Sequence, residues 1–138
     1  MTVLISVSEF NNTYLKALHL RRLLREEFSQ TFRTPHPATS ENSAPPEEGV
    51  DFLLHPTSTQ IAPLLSATEE GQGKNEYMQD ILTVPASLAG LPSMSIPSGK
   101  RDGMPVGVSL TGQWGSEEAL FDAGRVIEEW SNEADRIV

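Results

Sequence analysis

The segment Pro85 to Gly99, PASLAGLPSMSIPSG, carries three prolines, two glycines and four serines in the middle of a foldable chain. Proline fixes φ and removes a backbone donor, and small residues let the backbone pass close to another group. A long helix is therefore excluded here, and any strand must be short. Pro85 interrupts or restarts a helix, Gly90 supplies a left-handed residue that ends one, and Pro92 prevents its continuation. Upstream, Asn75 to Leu82 can form a short helix with Tyr77, Met78, Ile81 and Leu82 inward, so two short helical pieces meet near Thr83.

Beyond Pro92 the period changes to two. Ser93-Met94-Ser95-Ile96 alternates small polar with apolar residues, and Val106, Val108 and Leu110 alternate in PVGVSLTG. With Asp102-Gly103 between them, this predicts a strand, a turn and a second strand paired as a hairpin. The run Val50 to Leu54 reads as a further strand, buried on both faces, whose end opens onto a loop at His55-Pro56-Thr57. Ligands of open α/β folds sit at such strand ends.

Two amphipathic helices flank these elements. From Asn12 to Phe32, Ala17, Leu20, Leu24 and Phe28 make one stripe, widened by Tyr14, Leu18 and Leu23. Arg21, Arg22 and Arg25 could form an anion patch, but Glu26 and Glu27 beside them favour a solvated face. The last helix starts at Ser116 as N-cap, followed by Glu117 and Glu118, with Leu120, Ala123, Gly124, Ile127 and Trp130 as its buried stripe. Thr34 to Gly49 has four prolines and no periodicity, the pattern of a disordered surface insertion within one unit spanning residues 1–138.

Composition removes several function classes. A formal charge of −9 argues against direct binding of nucleic acid, which calls for a basic footprint. Without cysteine there is no disulfide, thiolate nucleophile or zinc-thiolate site, and an intracellular protein is the simplest fit. No apolar stretch reaches the ~20 residues of a membrane helix. MTVLISVSEF lacks the basic start of a signal peptide, and with its first arginine at Arg21 the chain shows no matrix-targeting presequence. The triplet Asn11-Asn12-Thr13 matches a glycosylation acceptor by composition only.

The familiar catalytic constellations are missing as well. His19, His36 and His55 have no metal-ligand spacing, Gly71-Gln72-Gly73-Lys74 is half a phosphate loop without its preceding strand, and no serine sits in a G-x-S-x-G elbow. Asp80 is the more informative residue: a carboxylate among apolar neighbours in YMQDILTVP, next to a helix break. It is either a local cap or exposed helix position, or a pocket residue that accepts a cationic or amide donor from a ligand.

These residues, in order and spacing, resemble the C-terminal part of the amidase signature family. The pieces are Asp80-Ile81-Leu82-Thr83-Val84-Pro85, Leu88 to Pro92, Met94 to Pro97 with Gly99, and Gly103 to Val108 leading to Gly112. Tyr14 to Phe28 resembles the family's Y-x-x-A-x-x-x-R helix, with Ala17 and Arg21 in place, and Asp51 to Ala62 its strand and Pro-Thr segment. Ser87 and Ser109 depart from it, standing where the family often has Asn and Gln. Within the family the chain is most similar to the A subunits of glutamine-dependent tRNA amidotransferases, particularly the mitochondrial type.

The resemblance implies an α/β fold, the C-terminal portion of an α/β/α sandwich around a mixed sheet, incomplete as a domain. It implies amide hydrolysis by a Ser, cis-Ser, Lys triad, with ammonia from glutamine passed to a partner subunit that uses ATP and Mg²⁺. No triad member is matched in this chain: Lys16, Lys74 and Lys100 stand outside that context, so the chain alone is expected to be inactive and to carry no cofactor. Asp80 would bind the α-amino group of glutamine, and His55 and Thr57 would lie at the pocket rim. The expected partners are the missing N-terminal amidase segment and the other amidotransferase subunits, with a mitochondrial matrix location. A hydrolase of other small amides and a non-catalytic interaction remnant are the alternatives.

Overall fold

The computed structural model describes residues 13–36, 48–62 and 80–137, with the side chains of the last helix described as far as Glu133. The elements are α1 (Leu15–Thr31), β1 (Phe52–Pro56), α2 (Val84–Ala89), β2 (Ser93–Arg101), β3 (Met104–Gly112) and α3 (Glu117–Ile137). The strands form an antiparallel sheet in the order β1-β3-β2. Among the described residues, parallel pairing occurs only at the bridge between Phe32 and Val50.

The hairpin follows from two local features. Arg101 pairs with Met104 across Asp102-Gly103, and both turn residues have positive φ, 52° and 77°, the requirement of a two-residue turn that matches strand twist. Pro97 pairs with Gly107 but Lys100 with Pro105, so β2 carries one extra residue, a bulge at Ser98-Gly99 where Gly99 takes φ 98°.

Alternation along these strands gives the sheet two chemically different faces. One presents Phe52, Met94, Ile96, Val108 and Leu110 to α3, whose Leu120, Ala123 and Ile127 complete the core. Gly124 lets α3 approach, since a Cβ there would meet the Met94 thioether at 2.7–2.8 Å. The other face presents Leu53, His55, Ser93, Ser95, Ser109 and Thr111, with Pro85 and Ala86 of α2 and Phe28 of α1 beside Leu53, His55 and Thr111. Three layers result, helix on sheet on helix. The Ser93 and Thr111 hydroxyls are 2.8 Å apart, so this polar face is satisfied within itself.

The helix break near Thr83 is present. Asp80 to Thr83 forms a turn closed by the Thr83 N–H on the Asp80 carbonyl at 3.1 Å, and α2 restarts with Pro85 in its first turn. It ends at Gly90, φ 77°, whose N–H reaches the Ala86 carbonyl at 3.0 Å. Arg21 of α1 donates to the Leu88 carbonyl at 2.7 Å, satisfying an acceptor that the end of α2 leaves open. Arg21 is therefore a structural strut between helices; its neighbour Arg22 pairs along the helix with Glu26 at 2.8 Å.

The insertion leaves and returns at one place. Arg33 N–H donates to the Val50 carbonyl and Val50 N–H to the Thr31 carbonyl, both at 2.9 Å, and the Arg33 and Asp51 side chains pair at 3.0 Å. Residues 37–47 lie outside the described residues, as do 75–79 of the helix expected before Asp80.

Four expectations are corrected. The first strand runs from Phe52 to Pro56, two residues later than the apolar run, and it lies at the sheet edge with Leu54 59% exposed. Ile81, in the turn from Asp80 to Thr83, is exposed as well. On α1, Leu24 and Phe28 are half-buried, whereas Tyr14, Leu15, Leu18, Leu20 and Leu23 are exposed. Trp130 is 75% exposed: at about 100° per residue it stands about 80° off Leu120, on the flank of the buried stripe.

Leu120→Ala should destabilise the chain by about 2–5 kcal/mol, the cost of a cavity in a packed core, and Trp130→Ala by less than about 0.5 kcal/mol. Urea denaturation of the two variants checks the contrast.

Candidate functional site

The end of β1 opens onto a cleft of 840 Å³ whose lining includes Pro56, Thr57, Ile61, Leu82, Ser95 and Arg101. Its position follows from the sheet: β1 stops at Pro56, which cannot donate to a ladder, and the chain turns away at Thr57. Thr57 is tied back by its N–H to the Gly107 carbonyl at 3.0 Å. Gly107 fits closely there, since a Cβ would stand 3.1 Å from Ser95 Oγ, 3.2 Å from the Ile96 carbonyl oxygen and 3.3 Å from Thr57 Oγ1.

Three hydroxyls converge on the wall. Ser109 Oγ donates to Thr57 Oγ1 at 3.0 Å, and Thr57 Oγ1 lies 2.8 Å from Ser95 Oγ. Ser109 is 4% exposed and Ser95 opens to the cleft. The sequence held a signal for this grouping: Ser95 and Ser109 fall on the same face by period-two alternation, and Thr57 follows directly from β1. Only the register between β1 and β3 brings Thr57 to them.

The expected site residues separate in space. Thr57 lines the cleft. His55 faces the helical layer instead, half-buried beside Phe28, Leu53 and Pro85, with Nδ1 2.9 Å from the Pro56 carbonyl. Asp80 opens the turn before α2 and is exposed; its backbone carbonyl accepts from Thr83, and Leu82, two residues on, reaches the cleft. Among the described residues no group of three His, Asp or Glu is placed to hold a metal ion. No helix there is long and apolar enough to cross a membrane.

At the opposite end of the sheet, Gln113 clamps the start of the insertion. Its amide donates to the Thr34 carbonyl and its oxygen accepts the Trp114 N–H, each at 3.0 Å. The Ser116 hydroxyl donates back to the Gln113 carbonyl, while the Ser116 carbonyl accepts Leu120 N–H at 2.9 Å. Ser116 thus holds the N-cap position with its side chain bound to the preceding loop. His36, 9% exposed, lies against Trp114 with ring centroids 6.1 Å apart. Burial first, and the Arg25 charge second, hold its pKa below the usual imidazole value.

This layered α/β arrangement with a strand-end cleft defines the chain's class: residues 1–121 match the Amidase family, and the chain belongs to it. It is 39% identical over 133 residues to the A subunit of the mitochondrial glutamyl-tRNA(Gln) amidotransferase of Mycosarcoma maydis, covering 92% of this chain and 25% of that protein. The corresponding protein of Tuber melanosporum is 35% identical over 128 residues, covering 91% of this chain and 26% of its own length. Among solved structures, the A subunit of the Thermotoga maritima glutamyl-tRNA(Gln) amidotransferase superposes with a TM-score of 0.61 at 28% identity, over 88% of this chain and 22% of that one. The chain is thus a partial amidase segment, spanning about a quarter of the length of these relatives.

The depressed native pKa of His36 fixes the sign of a pH effect. The unfolded chain takes up the proton first as pH falls, so the neutral ring's contribution is complete above about pH 6.5 and lost as pH drops through the lowered native value. Thermal melts from pH 8 to pH 5 (an assay range of about three units) should show a stability loss below about pH 6.5 that is smaller in His36→Gln. Equal slopes in both proteins would contradict the assignment.

Proposed function

We propose that this chain serves as the C-terminal quarter of a glutamine-dependent amidotransferase A subunit, contributing one wall of the glutamine site and no nucleophile. The observation that supports it is the match to mitochondrial A subunits over nine-tenths of this chain but only a quarter of theirs. The reactive part of the site, a Ser, cis-Ser, Lys triad, would come from an amidase segment that precedes this region in the relatives. In that assembly the lysine draws a proton through the middle serine, the last serine attacks the glutamine carboxamide, and backbone N–H groups hold the oxyanion. Ammonia would pass to a partner subunit, where ATP and Mg²⁺ activate the glutamyl-tRNA; neither is held by this chain. The relatives are named as mitochondrial proteins, and the matrix is the proposed location.

Asp80 is proposed to bind the α-amino group of glutamine. Its exposure suits this role: the carboxylate stands at the turn that opens α2, within reach of a ligand held by another wall. The uncovered apolar side chains of α1, with Leu54 on β1 and Phe121 and Trp130 on α3, offer the surfaces against which that wall would pack.

Glutaminase activity of the purified chain, alone and with an amidase segment of a relative supplied in trans, tests the proposal. Activity only on complementation is the expected result, and none in either case, with a folded chain, would favour an interaction module. In the complemented enzyme, Asp80→Ala should raise the glutamine KM at least about tenfold, the scale of a lost charged hydrogen bond, with the melting temperature unchanged. Preference for other small amides over glutamine would point to a different amidase. Alone, the chain should sediment as associated species; a compact monomer that binds no hydrophobic dye would count against an open surface.

A further inference from the structure

We infer that Ser95 is a ligand-binding donor of the cleft, oriented by a one-way hydroxyl relay running Ser109 to Thr57 to Ser95. Ser109 gives its proton to Thr57 at 3.0 Å. The Thr57 hydroxyl therefore accepts there and has its own proton for Ser95 Oγ, 2.8 Å away. Ser95 Oγ then accepts, leaving its O–H to turn into the cleft that it lines. The relay begins at Ser109, 4% exposed and with its O–H committed to Thr57, and ends at exposed Ser95, which has the cleft for a further partner. Hydroxyls in series polarise one another, and the last donor is stronger than an isolated serine.

The surroundings select the acceptor. The cleft lining mixes apolar residues such as Ile61, Leu82 and Val106 with uncharged polar ones such as Ser58, Gln60 and Ser98, a wall suited to a neutral polar group more than to an unpaired charge. Among the described residues of the lining the one that is charged, Arg101, has its side chain 79% exposed and 4.0 Å from the Asp102 carboxylate. It is not a buried counter-ion. A neutral carbonyl oxygen, such as that of a primary amide, fits the Ser95 donor better than a carboxylate. This choice of ligand rests on the amidase reading of the cleft; the order of the relay rests on the hydroxyl geometry.

Acetamide is the probe, titrated into the full 138-residue chain by saturation-transfer NMR, which tolerates an associated protein. The wild type should bind saturably and more tightly than acetate. Ser95→Ala should weaken acetamide by roughly three- to tenfold, the range of one net hydrogen bond, without moving the melting temperature. Thr57→Val should weaken it in the same sense although Ser95 is retained, and Thr57→Ser should restore it. Unchanged affinity in Ser95→Ala, no loss in Thr57→Val, or no saturable binding by the wild type would each overturn the inference. Relay-dependent binding without glutaminase on complementation would sink the functional reading alone; glutaminase with affinity independent of Ser95 would sink the relay alone.

Discussion

Strand β3 is the constraint on which the other elements depend. Among the described strands it alone pairs on both sides, and its register against β2 is set by the Asp102-Gly103 turn and by the bulge at Ser98-Gly99. A slip of one residue would turn Val108 and Leu110 toward the hydroxyl face and Ser109 and Thr111 toward α3, exchanging a core for a row of buried polar groups. The same register holds Thr57 opposite Gly107, which places the loop that bounds the cleft. Core and cleft are therefore two consequences of one alternation.

The two faces solve different packing problems. Toward α3 the sheet offers bulky side chains, and closeness comes from Gly124 against Met94. On the other side it offers Leu53, His55, serine and threonine, with Pro85 and Ala86 of α2 beside Leu53, His55 and Thr111. This is why a segment so rich in proline, glycine and serine stands in the middle of the chain. Prolines and Gly90 fix a six-residue helix, and serines in the next strand supply hydroxyls that pair with threonines, Ser93 with Thr111 and Ser95 with Thr57.

Local chemistry was readable before the structure wherever two neighbouring residues decide the conformation. The hairpin, the restart at Pro85 and the end at Gly90 are of this kind. Burial was not, because it depends on what lies opposite. The stripe of α1 is amphipathic by sequence, yet Leu15, Leu18, Leu20 and Leu23 have no cover among the described residues, and VDFLL reads as buried although β1 sits at an edge. Each of these misreadings assumes a neighbour that the described residues do not supply. The relay was illegible for another reason, since Thr57 is 38 residues from Ser95 and 52 from Ser109. Asp80 stands out by its apolar context and by the family resemblance, and its place outside the cleft wall leaves its role to the complementing segment.

The central claim is that this chain is one open-edged part of a larger amidase sheet. Hydrogen–deuterium exchange of the amides in Phe52 to Pro56, followed with and without an amidase segment added in trans, addresses it most directly. Exchange in β1 much faster than in β3 for the chain alone, slowing to the β3 level on addition, is the predicted result. Protection of β1 equal to that of β3 in the isolated chain, unchanged by the added segment, would contradict it.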